Sequence, residues 1–568
     1  MLLLSLPNEV ILKLFKYLNT SDIISLRQTC THLAEITNDK LLWSNLVQQL
    51  RTRLPLPPSV RTSFEDWSAD ALESLVVSVE LIDDLWLVAR ESPPVKLQNK
   101  RGEILLGLKI FLDRWILAVY TDGYINLWDT ESANEDDYRR WCFVYTGNDK
   151  TTSFQAVLDD TGEKLLVVIT RAHLPGTWVV ALYEVLLSDP PLKLQFTLVC
   201  TFPTSSSRMA QEIHPPKRII AFSQLGSIEL AHWSDNSKEN ITSVSISNPQ
   251  ADELEEMFTT ILSLRILSDG YVFVFKTRSI ELYPLPKFTA AKRSGPSSPS
   301  FPMPSLRHIF PSYNFRDVQI SDVETGALTE EEVFSSEGDG TRYRLKMLAS
   351  DIIQGLFYFV VNIIIPSTQD QIPILDVHLA AIYAMANNIP FHSKNRLQRH
   401  QQSTLEETSE SRSSMPLMNP NTAGPIRPVI ERFSMPRSDR VNSARSSSFV
   451  STYAVGSQGM RAVWIERRRG TTLKQIVSCR LNAPSTMDDN NPGVVSESGL
   501  EPSDSDSPSL ENTPGFDFLP QALDGQVVYS IQSYDLREDI TYCALGEVSG
   551  KIILGNRSGD VFVLETGA

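Results

Sequence analysis

One pattern recurs along most of this sequence: two short apolar strands joined by a tight turn. It is clearest in residues 115–130 (WILAVYTDGYINLWDT), where Asp122-Gly123 marks the turn, because a two-residue hairpin of this type needs positive φ. The layout returns in four further stretches: residues 218–233 around Gly226, residues 551–565 around Gly559, and, more loosely, residues 271–285 and 451–466. Repeated hairpins separated by Gly, Asp, Asn and Ser turns predict an all-β architecture.

The length of this β region favours a β-propeller, whose blades are four-stranded sheets. The alternative is a β-sandwich or two stacked β domains, but sandwich domains usually close near ~100 residues, and no clear boundary falls between Asp83 and Lys287. Trp128-Asp129 ends a strand and resembles the WD-repeat signature, although the Gly-His half of that signature is missing. Since such a blade takes about 40–45 residues, residues 83–568 predict about seven blades, with six or eight left open.

The N-terminal region has a helical pattern in place of the strand pattern: residues 8–18 (NEVILKLFKYL) predict a helix that is apolar on almost every side. At about 100° per residue, Glu9, Lys13 and Lys16 share one narrow stripe, and apolar residues cover the rest. A surface helix needs only one apolar stripe, so the additional apolar surface of this helix predicts that a partner protein covers it. Two more helices, one from the cap residues 20–22 through Leu33 and one around Trp43, would complete a small bundle.

These residues resemble the F-box. The matching positions are spread over the whole motif: Leu6-Pro7, Glu9-Val10, Leu14, Phe15, Leu18, Asp22-Ile23, Leu26-Arg27, Cys30, Leu33, Leu42-Trp43 and Leu46. The resemblance implies docking on a Skp-type adaptor, which is carried by a cullin, while the rest of the chain presents a protein substrate for ubiquitin transfer. It also implies the adaptor-contact residues, namely Leu6, Pro7, Glu9, Val10, Leu14 and Leu18, with a capping role open for Glu9. Trp43 is expected inside the bundle.

The predicted fold class is therefore an α+β multidomain chain: an F-box at residues 1–50, a linker and bridging helix at 51–82, and a WD-like propeller at 83–568. The bridging helix is predicted at residues 69–82, where five apolar residues share a face, although VVSVELI also alternates like a first strand. Four segments are too polar or too rich in Pro and Ser to offset their ordering entropy. We expect disordered insertions near residues 290–304, 323–340, 392–448 and 483–514.

Composition narrows the class of partner and the compartment. Lys and Arg total 52 against 68 Asp and Glu, and the net charge of −16 argues against nucleic-acid or anionic membrane partners. The longest apolar stretch, residues 356–366, is too short for a membrane helix and is predicted to be a buried strand. Five scattered cysteines indicate a reducing compartment. An N-terminal signal peptide is disfavoured because no basic region or cleavage site accompanies Met1–Leu4, so we expect a cytoplasmic or nuclear protein.

The sequence contains no recognised catalytic, cofactor-binding or metal-binding motif. The sequence lacks zinc-ligand spacings, phosphate and dinucleotide loops and the nucleophile elbow, so no catalytic, cofactor or metal residues are predicted. Cys30 is expected to be a core thiol. Arg467-Arg468-Arg469 either grips an acidic or phosphorylated substrate or is a solvated turn before Gly470. The main hypothesis is a non-catalytic substrate receptor; the alternatives are an F-box scaffold acting without ubiquitination and an enzyme built on the propeller channel.

Overall fold

The computed structural model places helices first and strands afterwards. It describes residues 6–97, 104–131, 140–147, 149–174, 176–187, 195–204, 207–224, 226–233, 242–246, 260–286, 304–327, 340–367, 371–385, 448–468, 470–481 and 520–566. The helices are α1 (Asn8–Phe15), α2 (Thr20–Arg27), α3 (Thr31–Thr37), α4 (Lys40–Leu50), α5 (Pro58–Thr62) and α6 (Ala69–Trp86).

The N-terminal helices differ from the predicted ones in their boundaries. α1 ends at Phe15 and not at Leu18, because the backbone N–H of Tyr17 and of Leu18 bond three residues back and tighten the last turn. The single helix expected from residue 20 through Leu33 is two helices. The chain breaks at Cys30, whose extended backbone (φ −160°, ψ 159°) precedes α3.

α6 belongs to the same hydrophobic core as the helices before it. Its buried face, which includes Leu72, Val76 and Val79, packs with Ile11, Phe15 and Trp43, and Trp43 is fully buried as predicted. The Trp43 indole N–H donates to the Thr37 carbonyl at 2.8 Å. Arg27 of α2 makes two 2.7 Å bonds to the carboxylate of Glu73 on α6. Residues 69–82 are therefore helical, and the alternative of a first strand is wrong.

After α6 the described chain forms seven sheets. A short strand β1 (Val95–Lys96) comes first. Blade 1 holds β2 (Leu105–Phe111), β3 (Trp115–Tyr120), β4 (Tyr124–Asp129) and β5 (Arg140–Tyr145), and blade 2 holds β6 (Lys150–Leu158), β7 (Lys164–Leu174), β8 (Thr177–Leu186) and β9 (Thr197–Thr204). Blade 3 holds β10 (Met209–His214), β11 (Ile219–Gln224), β12 (Ser227–His232) and β13 (Thr242–Ile246). Blade 4 holds β14 (Ile261–Leu267), β15 (Tyr271–Lys276), β16 (Ser279–Pro284) and β17 (Leu306–Ile309).

Blades 5 to 7 complete the ring. Blade 5 holds β18 (Asp317–Ile320), β19 (Glu324–Ala327), β20 (Gly340–Asp351), β21 (Gly355–Pro366) and β22 (Ile374–Ala384); blade 6 holds β23 (Ser448–Val455), β24 (Arg461–Arg468), β25 (Leu473–Arg480) and β27 (Gln526–Gln532); blade 7 holds β28 (Ile540–Leu545), β29 (Ile552–Asn556) and β30 (Val561–Leu564). A two-residue strand, β26 (Gln521–Ala522), pairs with β22 in parallel. The architecture is a seven-bladed propeller, which confirms the predicted fold class and rejects the sandwich alternative.

Blade 5 departs most from the regular pattern. Its innermost position is shared by β18 and β19, which pair with opposite halves of the long strand β20. Residues 324–327 are thus a strand, although the sequence placed them in an insertion starting at 323. Apart from these residues and the edge residues 304, 323, 340 and 448, the four predicted insertions lie outside the described residues. The prediction of a buried strand at 356–366 is confirmed by β21.

The last blade is completed from the start of the β region. β1 pairs antiparallel with β30, with Val95 opposite Val563, so blade 7 reads β1-β30-β29-β28. As predicted, residues 551–565 form the last hairpin. Ile552 and Leu554 pack with blade 6, whereas Val561 and Val563 pack with blade 1. The chain closes the ring by joining its two distant ends.

The C-terminal end of α6 is anchored in blades 6 and 7. Trp86 is fully buried, and its indole N–H donates to the Cys479 carbonyl at 3.1 Å. The Arg461 guanidinium lies 5.4 Å from the centroid of the Trp86 ring and forms a 2.9 Å salt bridge with Asp83. Four residues on, Arg90 donates to the carbonyls of two blade 7 residues, Leu564 at 2.8 Å and Gly550 at 3.1 Å.

A second contact joins the linker to the turn between β23 and β24 of blade 6. The Gln458 side chain makes two bonds with the backbone of Leu56, at 3.1 Å and 2.8 Å. The Glu547 carboxylate of blade 7 accepts the backbone N–H of Gln458, Met460 and Arg461 at 2.5, 2.6 and 2.9 Å. These contacts and those of Trp86, Asp83 and Arg461 form what we call the F-box joint. They fix the helical module against blades 6 and 7.

Removing the last hairpin tests ring closure. A chain ending at Ser549 lacks β29 and β30 and leaves apolar faces of blades 6 and 1 uncovered. We expect the whole β domain to lose cooperative unfolding, while the helical module keeps its helix signal. Thermal unfolding followed by near-UV and far-UV circular dichroism measures both. A chain ending at Thr566 is the control, and a cooperative transition near the full-length midpoint in the Ser549 variant would refute closure at this hairpin.

Glu547 is expected to make the joint depend on pH. Burial raises its pKa from 4.5 to about 6, although three backbone N–H groups oppose the rise. An acid with a raised pKa binds its proton more tightly in the folded state, so its stabilising contribution is fully present below pH 4.5 and is lost as pH rises through 6. The shift corresponds to about 2 kcal/mol.

The measurement compares the free energy of unfolding of the wild type and Glu547→Gln at pH 7.5 and at pH 5. Acidification from pH 7.5 to pH 5 should raise the free energy of unfolding of the wild type by about 1 kcal/mol relative to that of the variant. The reason is that most of the stabilisation from the raised pKa develops between these two pH values. Glu163→Gln, at an exposed turn of blade 2, is the control and should follow the wild-type profile. Parallel profiles for wild type and Glu547→Gln would contradict the prediction.

Candidate functional site

α1 presents an apolar stripe to solvent. Ile11 and Phe15 are buried in the bundle core, but Val10 is 40 % exposed, Leu14 is 44 % exposed, and Tyr17, just past the helix, is 88 % exposed. With the exposed Pro7 they follow spacings of three, four and three residues, so they lie along one side of the helix. We call Pro7, Val10, Leu14 and Tyr17 the α1 stripe.

The predicted adaptor-contact residues divide into two groups. Pro7, Glu9, Val10 and Leu14 are exposed, whereas Leu6 and Leu18 are half-buried and pack against the bundle core. Glu9 lies in the first turn of α1, where a negative charge suits the helix dipole, and this helix has no side-chain hydrogen bond at its N-cap. Tyr17 was not among the predicted contact residues, although its spacing from Val10 and Leu14 could have indicated it.

The cysteine near this module behaves as a packing residue. Cys30 is partly buried against the bundle core at the start of α3. In the propeller, Cys200, Cys479 and Cys543 are buried, and burial raises the pKa of each thiol, to about 11 for Cys200 and about 12 for the other two. Protonated thiols of this kind are poor nucleophiles, so these three side chains are suited to packing.

The innermost strands carry a chain of polar side chains from blade to blade. The Lys109 ammonium of blade 1 bonds to the Gln155 amide of blade 2, and Arg265 of blade 4 bonds to Glu212 of blade 3 at 2.8 Å. Burial, with the nearby Arg265 charge, lowers the pKa of Lys109 to about 8, and burial raises the pKa of Glu212 against the attraction of Arg265. Cations and anions are interleaved here, which suits cross-linking of neighbouring blades.

Neither a metal site nor a membrane span is found where the structure can be described. Within the described ranges, no group of three or more His, Cys, Asp or Glu side chains could hold a metal ion. In the same part of the chain, no helix combines the length and apolarity needed to cross a bilayer.

The basic run at the end of β24 is partly engaged. Arg467 pairs with Asp539 at 3.2 Å and its guanidinium lies 5.5 Å from the centroid of the Phe449 ring, whereas Arg468 is exposed and Arg469 lies outside the described residues. Lys474 also pairs with Asp539, at 2.9 Å. Burial disfavours ionisation of Asp539, but Lys474 and Arg467 outweigh it and hold its pKa below the usual value. Arg467 is thus fixed by a salt bridge and a contact with an aromatic ring, whereas the solvated-turn interpretation would leave its side chain free in water.

The F-box-like family model matches residues 3–49. The search of curated proteins found no match. Among solved structures, one similar chain is the Myceliophteria thermophila Cps50 (Swd1) β-propeller domain, with 10 % identity, a TM-score of 0.41, and coverage of 83 % of this chain and 99 % of that chain. A second is U3-55K, with 9 % identity, a TM-score of 0.37, and coverage of 84 % of this chain and 99 % of that chain. A third is the RRP9 WD40 repeats, with 8 % identity, a TM-score of 0.37, and coverage of 84 % of this chain and 99 % of that chain. The family match at residues 3–49 and the seven sheets of the described chain together show an F-box-like module joined to a seven-bladed β-propeller.

Proposed function

We propose that the chain is the non-catalytic substrate receptor of a Skp–cullin–F-box ubiquitin ligase. The F-box-like module would bind a Skp-type adaptor and, through it, a cullin, while the propeller would bind the protein to be ubiquitinated. The acidic net charge of −16 supports a protein substrate over nucleic acid or an anionic membrane. The expected compartment is the cytoplasm, the nucleus or both.

The observation that carries the proposal is the α1 stripe. Val10, Leu14 and Tyr17 are exposed although α1 has already placed Ile11 and Phe15 in the bundle core. Burying a large apolar side chain contributes roughly 1.5–3 kcal/mol, so covering this stripe with a partner would be strongly favourable. Contiguous exposed apolar surface is typical of protein-binding sites, and the F-box-like match at residues 3–49 supports an adaptor as the partner.

The F-box joint supports a role in presenting a substrate. Trp86, Asp83 and Arg461 hold α6 to the propeller, and Arg27 with Glu73 holds α6 to the helices before it. An adaptor on the α1 stripe and a protein on the propeller would therefore keep a defined separation. Such preorganisation lowers the entropic cost of bringing two bound proteins together.

Two other functions make different predictions. A scaffold acting without ubiquitination would bind the adaptor but fail to co-purify with a cullin. An enzyme built on the propeller would need a cluster of acidic or His side chains at the channel mouth; the described innermost strands instead carry the paired Arg265 and Glu212, with Lys109 nearby. Co-purification of adaptor and cullin from cells distinguishes the receptor from the scaffold.

A charge introduced into the α1 stripe should abolish adaptor binding. In Val10→Asp with Leu14→Asp, two carboxylates would enter a desolvated interface without partners, which costs several kcal/mol. Both positions are exposed, so the fold should persist. Binding is measured by co-purification with the adaptor and by calorimetric titration, and a loss of at least about a hundredfold in affinity is expected from that penalty.

The control is Gln48→Asp with Gln49→Asp, which adds the same charge to exposed positions of α4 in the same module. It should bind the adaptor as the wild type does. Retention of adaptor by the folded Val10 and Leu14 double variant would reject docking through the α1 stripe.

A further inference from the structure

The propeller engages most of its own lysine side chains. The described part of the propeller contains nine lysines, and six of them are buried or half-buried with the ammonium group bonded to another blade residue. We call these six the engaged lysines: Lys109, Lys217, Lys276, Lys346, Lys474 and Lys551. Lysine usually keeps its ammonium group in water, so this share of engaged side chains is high.

Three of the engaged lysines lie deep between strands. Lys276 and Lys346 are each 5 % exposed, and Lys474 is 2 % exposed. Each of the three ammonium groups meets a carboxylate, at 2.6, 3.1 and 2.9 Å respectively. Lysine is almost never buried to this extent unless it is paired. Withdrawing one partner of a buried pair is strongly destabilising, so these amines are not available at the surface.

The other three engaged lysines reach across to a neighbouring blade. Lys109 of blade 1 donates to the Ala156 carbonyl of blade 2 at 3.1 Å. Lys217 of blade 3 donates to two carbonyls of blade 4, at 2.6 and 3.4 Å. Lys551 of blade 7 donates to the Thr130 hydroxyl beside blade 1 at 2.9 Å. These amines are therefore fixed at the seams between blades.

Two propeller lysines are both exposed and unengaged. Lys150 and Lys164 are exposed, and within the described ranges neither ammonium group has a hydrogen bond or a salt bridge. They begin β6 and β7, and the nine residues of β6 rise about 27 Å over eight steps at roughly 3.4 Å each. They therefore lie at opposite ends of blade 2. Lys96 is an intermediate case, because its side chain is 56 % exposed and pairs with Asp560 at 2.9 Å.

Arginine carries most of the exposed positive charge of the propeller. In the described blades and the turns between them, three lysines are exposed, whereas eight arginines are: Arg218, Arg278, Arg307, Arg316, Arg468, Arg480, Arg537 and Arg557. A guanidinium group stays protonated in proteins. The lysine amine, by contrast, is the group to which ubiquitin is attached. The surface thus keeps its positive charge while presenting few amines.

Ubiquitin transfer needs a neutral lysine amine that can reach the donor. The amine nitrogen attacks the carbonyl carbon of the thioester that joins the C-terminus of ubiquitin to a cysteine of its carrier protein. A C–N bond forms, the C–S bond breaks, and the departing thiolate takes up the proton that the nitrogen loses. An ammonium group in an ion pair is held in its charged form. A buried side chain also cannot approach a thioester carried by another protein.

We propose that the propeller withholds its engaged lysines from ubiquitin transfer and leaves Lys150 and Lys164 as the acceptors for self-ubiquitination. The proposal rests on the proposed receptor function, since it describes how the receptor avoids becoming its own main substrate. Transfer within the ligase is then directed to lysines of the bound protein.

Lys109 separates the effect of reach from the effect of reactivity. Burial is the main reason that the pKa of Lys109 falls from 10.5 to about 8. More of this amine is therefore neutral near pH 7.5 than in a lysine of ordinary pKa. If reactivity alone selected the acceptor, Lys109 would be modified first. Because it lies on the innermost strand of blade 1 and is bonded to blade 2, we expect no ubiquitin on it.

The test reconstitutes transfer with the full-length chain, a Skp-type adaptor, a cullin ligase core, and the enzymes that activate and carry ubiquitin. Mass spectrometry of the digested conjugates measures the occupancy of each of the nine described propeller lysines. Lys150, Lys164 or both should be modified at least about ten times more than any engaged lysine, since freeing a buried paired charge costs several kcal/mol. Lys96 should fall between the two groups.

The variant Lys150→Arg with Lys164→Arg removes both unengaged amines and keeps their charge. It should lose most of the ubiquitin attached to the described propeller lysines, and its melting temperature should not change because both positions are exposed. The matched control is Lys217→Arg with Lys551→Arg, which changes two engaged lysines in the same way. It should be ubiquitinated as the wild type is.

A second measurement does not depend on the ligase. A brief pulse of an amine-acetylating reagent is applied to the purified complex of chain and adaptor, and acetylated lysines are quantified by mass spectrometry. Lys150 and Lys164 should be acetylated at least about ten times faster than Lys276, Lys346 and Lys474, because the last three are buried in ion pairs. Equal acetylation rates would contradict the withholding of these amines.

Three results of the transfer experiment would overturn the proposal. These are ubiquitin spread evenly over engaged and unengaged lysines, an unchanged level in the Lys150 and Lys164 double variant, and conjugation only at lysines outside the described ranges. Co-purification of the adaptor in the same samples distinguishes this failure from that of the receptor function. A chain that binds the adaptor but shows one of these results rejects the proposal alone, whereas a chain that does not bind the adaptor rejects the receptor function.

Discussion

Closure of the ring is the constraint on which the rest of the molecule depends. Each blade has two apolar faces, and neither is covered until both neighbours are in place. The closing contact is small: β1 contributes two residues, with Lys96 opposite Phe562, and the adjoining Leu97 N–H donates to Val561 at 2.8 Å. A salt bridge of 2.9 Å between Lys96 and Asp560 lies beside it. Its effect is large because it brings the apolar faces of blades 7 and 1 together.

The same closure determines where the helical module lies. β1 begins only nine positions after Trp86, so the segment that completes blade 7 also continues from α6. Arg461 secures this arrangement, since it is buried between the Trp86 ring, the Asp83 carboxylate and the Glu547 carbonyl. Burial lowers the pKa of Arg461, and Asp83 opposes that change. A buried charge without its partner is strongly destabilising, so this contact favours one orientation of the module.

Much of the local structure could be predicted because it follows from periodicity and turn chemistry. The hairpins at residues 115–130 and 551–565, the burial of Trp43 and the helix at residues 69–82 are all found. The errors fall where local signals are weak. The helix pattern from residue 20 to Leu33 continues across Cys30, although the chain breaks there, and residues 324–327 have little apolar character yet pair with β20.

By itself, the sequence determined the order of parts: an apolar helical module resembling an F-box, then repeated hairpins enough for about seven blades, with no recognised catalytic motif. These features depend on residues close together in the chain. Only the tertiary structure decided which blades and which face of the propeller hold the helical module. The F-box joint combines Leu56, Asp83, Gln458 and Glu547. Such residues meet because the ring closes, and no local periodicity encodes that meeting.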